Sequence, residues 1–223
     1  MITTAGFKKI IAKPLGQEMR QYGFKGTGFN YFQETEDFLI AVYIEASRWG
    51  GSCRTGFAVH PKEIEKDYNG KKDINNLNIY QYEFVMTLTE YASGDSWSYK
   101  DDNKENLETL SKIIASIKEK AFPVIEQFKT KPNILELFDV TELKDFHKNW
   151  TRRTGVSIGT TDIRFAWAMT MFFEKKNKLK AQQFAKAGLS LLSKTDTFFG
   201  RSDFERVLTD NNGAQQKAWQ NAG

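Results

Sequence analysis

A chain of 223 residues, 40% hydrophobic and 27% charged, is long enough to build its own core, and its 14% aromatic content with few prolines argues against disorder. The net charge of +4 is mild, and its Lys and Arg stand singly or in pairs among acids, which argues against a nucleic-acid partner. One cysteine, Cys53, excludes an internal disulfide, no apolar run approaches a membrane span, and the start has no leader pattern, so the expected setting is cytoplasmic.

In chain order, Phe7, Ile10, Ile11, Leu15, Met19 and Tyr22 repeat at helical spacing and predict a helix over 4–22, bent or restarted at Pro14. Gly23 stands where a helix C-terminus takes the left-handed conformation. The stretch "GFKGTGFNYF" spaces its glycines G-x-x-G-x-G and follows a helix, the reverse of a dinucleotide loop. Those glycines read as punctuation before a strand, and no cofactor is expected.

Alternating apolar residues then predict strands over 28–34, 37–47, 54–60, 80–90 and a short edge at 96–99. The strand over 37–47 is apolar on both faces and should be central. A polar insertion over 61–79 carries an Asn-Gly turn at 69 and 70. Asp102, with Glu105 three residues on, caps a helix that runs to 130 and is broken by Pro123. Short helical pieces follow at 133–138 and 142–149, then a helical hairpin of 162–177 and, after a turn at "KKNK", a second helix defined by Leu179, Phe184, Ala185, Gly188, Leu191 and Leu192; a helix around 202–210 and a fraying tail end the chain.

The fold class expected from this order is α+β: an antiparallel sheet of four or five strands with helices on one face, followed by a C-terminal helical segment. The domains expected are 1–130 and a helical extension over 131–223 packed on it. The stretches "PLGQEMRQYGFKGTGFNYF", "DFLIAVYIEASRW" and "TGFAV", with the strand and capped helix at 82–128, resemble a bacterial family known only as domain of unknown function 4304. Its members usually carry glutamine where this chain has Glu45. The resemblance spans roughly residues 5–130 and implies an α+β domain. It brings no activity and no functional residue.

Motifs that carry chemistry are missing. His60 and His147 lack the spacing of metal ligands, so no metal site is expected. Cys53 has a basic neighbour in Arg54 that could lower a thiol pKa, with His60 as an imaginable partner, but a lone cysteine at a strand start reads as packed. Glu34, Glu36 and Asp37 fit a turn, and Asp101 and Asp102 fit a helix cap, so no catalytic residue is assigned.

Two loops carry the residues enriched at binding hot spots: Arg48, Trp49 and Arg54 in 47–54, and Trp97 and Tyr99 in 93–99. If the strands over 37–47 and 80–90 run the same way with one strand between them, both loops leave the same end of the sheet. The bland reading is that both tryptophans cover sheet ends. The function expected is a non-enzymatic module that binds a protein partner, as immunity proteins do. The alternative is an enzyme or binding protein with a small molecule in a pocket under the sheet. A deep pocket holding His60 or paired carboxylates would favour an enzyme, and an exposed aromatic patch would favour binding.

Overall fold

The computed structural model describes residues 2–67, 70–71, 73–88, 96–193 and 197–209. Helix α1 (Thr4–Gln21) starts at Thr3, whose hydroxyl accepts from the Gly6 N–H, and buries Phe7, Ile11, Leu15 and Met19. It continues through Pro14 as one helix, where a bend or restart was expected. Gly23 ends it with φ at 80°. The Gly23 N–H bonds to Arg20 O and the Phe24 N–H to Met19 O, the paired bonds of a glycine C-cap. Gly26 and Gly28 then turn the chain into the first hairpin with φ at 141° and 66°, so the glycines serve backbone geometry.

The strands are β1 (Lys25–Thr27), β2 (Asn30–Glu34), β3 (Phe38–Ala46), β4 (Ser52–Pro61), β5 (Lys66–Asp67), β6 (Gly70–Lys71), β7 (Phe84–Thr87), β8 (Trp97–Ser98) and β9 (Ser157–Ile158). The main sheet is antiparallel in the order β1-β2-β3-β4-β7-β9, with β8 also paired to β4, and β5-β6 is a separate small hairpin. Strand β3, apolar on both faces, lies in the middle as its pattern predicts.

Two differences have local causes. The expected strand over 80–90 is extended only over Phe84–Thr87, because Ile79–Gln81 form a 3₁₀ turn. Asn78 accepts from the Tyr80 N–H and its own N–H donates to the Gln81 side chain, a cap that competes with extended pairing. Strand β9 comes from the helical extension, between its expected helices, where no strand was expected. It follows Gly155, left-handed at 73°, which ends a helix, and two residues are too short to show a strand period. Asn69 of the expected turn, residues 89–90 of the expected strand, Ser93 to Asp95 of the second loop and the tail after 209 lie outside the described residues.

Helix α2 (Asn103–Ser116) is capped by Asp102, whose carboxylate accepts from the Glu105 N–H at 2.9 Å. A π-turn over Ile117–Ala121 leads into α3 (Phe122–Lys129), with Pro123 in its first turn. Helices α4 (Phe146–Thr154), α5 (Asp162–Phe173) and α6 (Lys178–Leu191) follow, with a further helix over 201–209. No helix among the described residues is long and apolar enough to cross a membrane.

One face of the sheet carries the helices. Phe38, Ile40, Val42 and Ile44 of β3, Phe57 and Val59 of β4, and Phe84 and Met86 of β7 join a single buried cluster that extends from Phe7 to Val207. Trp150 of α4 stands inside it with Phe84, Phe128, Phe138, Phe146 and Phe165 around it, ring centroids 6.0–6.5 Å away. Residues beyond 130 therefore supply both a strand and core aromatics to the sheet. Among the described residues no α-helix packs along the opposite face, which carries the segment 73–83, whose Leu77 and Tyr82 pack on Ala41, Tyr43 and Ala58.

Candidate functional site

Strand alternation decides what reaches the helix-free face. On β4, Cys53, Phe57 and Val59 face the helices, so Arg54, Gly56 and Ala58 face the other way. Glu45 of β3 is in register with Arg54, which sets opposite charges side by side on that face. Gly56 has a particular task there. A Cβ added to it would lie 2.6 Å from Tyr43 Oη and 2.3 Å from Met86 O. Without one, the Tyr43 ring lies across β4, and its hydroxyl approaches Met86 O at 3.4 Å.

The result is a cleft of about 660 Å3. Its floor comes from β2 (Asn30, Phe32), β3 (Tyr43, Glu45), β4 (Arg54) and β7 (Val85, Thr87). Asn78, Ile79, Tyr80 and Tyr82 form one wall. Tyr80 leans over the floor, its hydroxyl donating to Glu45 Oε1 at 2.8 Å while the residue stays 73% exposed. That bond holds the phenol above its ordinary 10.0. Burial pushes the Tyr82 phenol to about 12, so it stays protonated.

The far end is closed by Gly159, Thr160, Thr161 and Arg164, at the junction of β9 and α5. This end is tied to β7 and the residues before it. The Gly159 N–H donates to Val85 O at 2.8 Å, and the Thr160 hydroxyl donates to Glu83 O at 2.6 Å. Arg164 Nε donates to Glu83 Oε2 at 3.0 Å, and its Nη2 approaches Tyr82 O at 3.3 Å. Glu83 is 1% exposed, so the guanidinium that lines the cleft is anchored by a carboxylate buried behind it. A second hollow of about 750 Å3 lies beyond Phe32 and Tyr82, but its charged groups, Lys25 and Glu34, stand exposed on strands at the sheet margin.

The five residues expected at a binding rim fall in three environments. Arg48 and Trp49 sit on the β3–β4 turn, where Gly50 and Gly51 take φ of 80° and 77°. Trp49 is 80% exposed, and the Arg48 guanidinium lies 4.8 Å from its ring centroid. Arg54 is in the cleft floor. Trp97, in register with Cys53, turns to the helix side, half-buried against the core. Tyr99 is 2% exposed, stacked on Phe7 with centroids 4.2 Å apart, and its hydroxyl is 3.1 Å from Thr4 Oγ1. Tyr99 is thus interior rather than at a rim, because residues 97 and 99 share the face that Cys53 fixes. Strands β3 and β7 do run the same way with β4 between them, so the chain leaves both at one end of the sheet.

The other candidates serve structure. His60 is buried, with Nε2 2.9 Å from Ile64 O, and it does not line the cleft. Cys53 and His60 are seven residues apart on one strand, roughly 23 Å, and face opposite ways. Burial pushes the Cys53 thiol up to about 12, which leaves no thiolate to react. Glu34 pairs with Lys62 and Asp37 with Lys131, which holds that carboxylate below its usual range. Sequence reasoning missed Tyr43, Tyr80, Glu83 and Arg164. The available signal was Glu83 inside an otherwise apolar run, an acid that a buried position must pair.

A family model described as Domain of unknown function (DUF4304) matches residues 15–127, just over half of the chain. The matched stretch contains every floor strand of the cleft and stops short of the end formed by residues 159–164. No curated protein and no solved structure matches the chain.

Proposed function

This chain belongs to the family described as Domain of unknown function (DUF4304), and we propose that it works as a recognition module, holding an extended segment of a partner protein in the cleft on the helix-free face of its sheet. The observation that carries this reading is the shape of the cleft. It crosses β2, β3, β4 and β7 and ends beside β9. Five strands at a spacing of about 4.8 Å span roughly 19 Å, the length of about six extended residues. A continuous wall borders it on one side, and the exposed rings of Tyr80 and Phe32 stand with Arg54 and Arg164 along it, the residue types that anchor interfaces.

Recognition is favoured over catalysis by the state of the acids. Glu45 accepts from Tyr80, Glu83 is committed to Arg164, and His60 lies elsewhere. The reading includes a reducing, cytoplasmic setting, in keeping with a single, buried cysteine. A volume near 660 Å3 also suits a small molecule, which makes that the competing outcome.

The test is selection of random linear peptides displayed on phage against the intact chain and against Thr87→Trp, which fills the floor. Recovered peptides should bind the parent chain and lose about tenfold or more in affinity to the variant, the loss of a well-packed contact. Peptides that bind both proteins equally would remove the cleft from the reading. Stabilisation by metabolites, with no peptide recovered, would replace it with the small-molecule one.

A further inference from the structure

Resting on that reading, we infer that the β9–α5 end of the cleft is an amide-selective subsite, where Arg164 reads the side-chain carbonyl of a Gln or Asn in the bound segment. The charges of the cleft point to an uncharged guest. Glu45 and Arg54 oppose one another in register on the floor. Arg164 is matched by Glu83, buried directly behind it. Each guanidinium in the cleft thus has a carboxylate beside it, and the site presents dipoles rather than a net field.

Arg164 is the donor held in place at that end. Arg164 uses Nε on Glu83 and Nη2 on Tyr82 O, while its Nη1 makes no hydrogen bond among the described residues. Thr161 is exposed, and its side chain caps no N–H of α5. A carbonyl oxygen accepts from such donors without adding charge. A carboxylate would put a second anion on a guanidinium that already holds one, with Glu83 sealed from water and unable to move away. Arg164 and Thr161 lie outside the residues matched to the family, while Glu83, which holds Arg164, lies inside them, so the C-terminal segment brings the donors to a floor and a counter-charge that the matched stretch supplies.

Positional-scanning pools of end-blocked hexapeptides, applied to the intact chain, test this. At one position the wild-type chain should retain Gln or Asn over Glu or Asp by about tenfold, the worth of one hydrogen bond to a charged donor. Retention should change little with salt. Glu83→Gln keeps the shape and a hydrogen-bond acceptor for Arg164 but removes the balancing charge. Its preference should reverse toward Glu and Asp and become salt-sensitive. Arg164→Met added to Glu83→Gln should abolish the preference in either direction while other positions still discriminate. A wild-type preference for acids, or a Gln preference that survives the double variant, overturns the subsite and leaves the cleft reading standing. Pools that are not retained, or are retained equally by Thr87→Trp, overturn both.

Discussion

Trp49 and Tyr99 show how one substitution separates surface from core. Trp49 is exposed on a turn, so Trp49→Ala should change stability by no more than about 0.5 kcal/mol. Tyr99 lies stacked on Phe7, so Tyr99→Ala should cost about 3 kcal/mol, read from urea denaturation at neutral pH. Equal, small losses at both positions would contradict the packing of Tyr99 against α1. Cys53 and Tyr82 make a second residue-level prediction. Burial raises the Cys53 thiol from an ordinary 9.0 to about 12 and the Tyr82 phenol from 10.0 to about 12. The unfolded chain therefore gives up these protons at lower pH than the folded one. Neither group alters stability below pH 9, and stability falls as pH rises toward 12. Cys53→Ala should make the alkaline decline shallower by about 1.4 kcal/mol per pH unit above the thiol's ordinary value. Urea melts across that range check it, and an unchanged slope would mean the thiol is not sealed in.

At the scale of elements, the cleft depends on how the start of α5 is held to the residues before β7. Three side-chain contacts do this, Thr160 to Glu83 O, Arg164 to the Glu83 carboxylate and Arg164 to Tyr82 O, across more than seventy residues of chain. Arg164→Met leaves Glu83 buried without its cation and should destabilise the fold by about 3 kcal/mol. Glu83→Gln should cost less than that, since a neutral amide can still accept from Arg164. Chemical denaturation of the two variants gives the comparison, and a smaller loss for Arg164→Met than for Glu83→Gln would deny the buried pair. Local pattern predicted α1, β3, β4, α2, α5 and α6 well, because each carries an uninterrupted hydrophobic period. It failed at Ile79–Gln81 and at β9, where a side-chain cap and a two-residue pairing decide the backbone and no period exists to be read.

For the whole molecule, the shared core carries the argument. Phe84 of β7 packs against Phe128 of α3 and against Trp150 and Phe165 from beyond residue 130. A chain cut after 130 would uncover that face of the sheet and lose β9. It should show no cooperative thermal transition and should bind a hydrophobic dye at pH 7, and a sharp transition in the truncated chain would show that its sheet needs no help. The amino-acid sequence by itself determined the α+β class, the antiparallel order around β3, the caps at Asp102 and Gly23, and the mild, dispersed charge. These follow from period, propensity and composition, which act within a few residues. The cleft was decided only by tertiary structure. Tyr43, Arg54, Glu83 and Arg164 are far apart in the chain, and what each can do depends on which face of which strand meets which wall. Arg54 was legible as a candidate because it sits in a turn-flanking cluster with Arg48 and Trp49. Arg164 was not, because in sequence it is one cation at the start of an apolar helix, and only the buried carboxylate of Glu83 turns it toward a site.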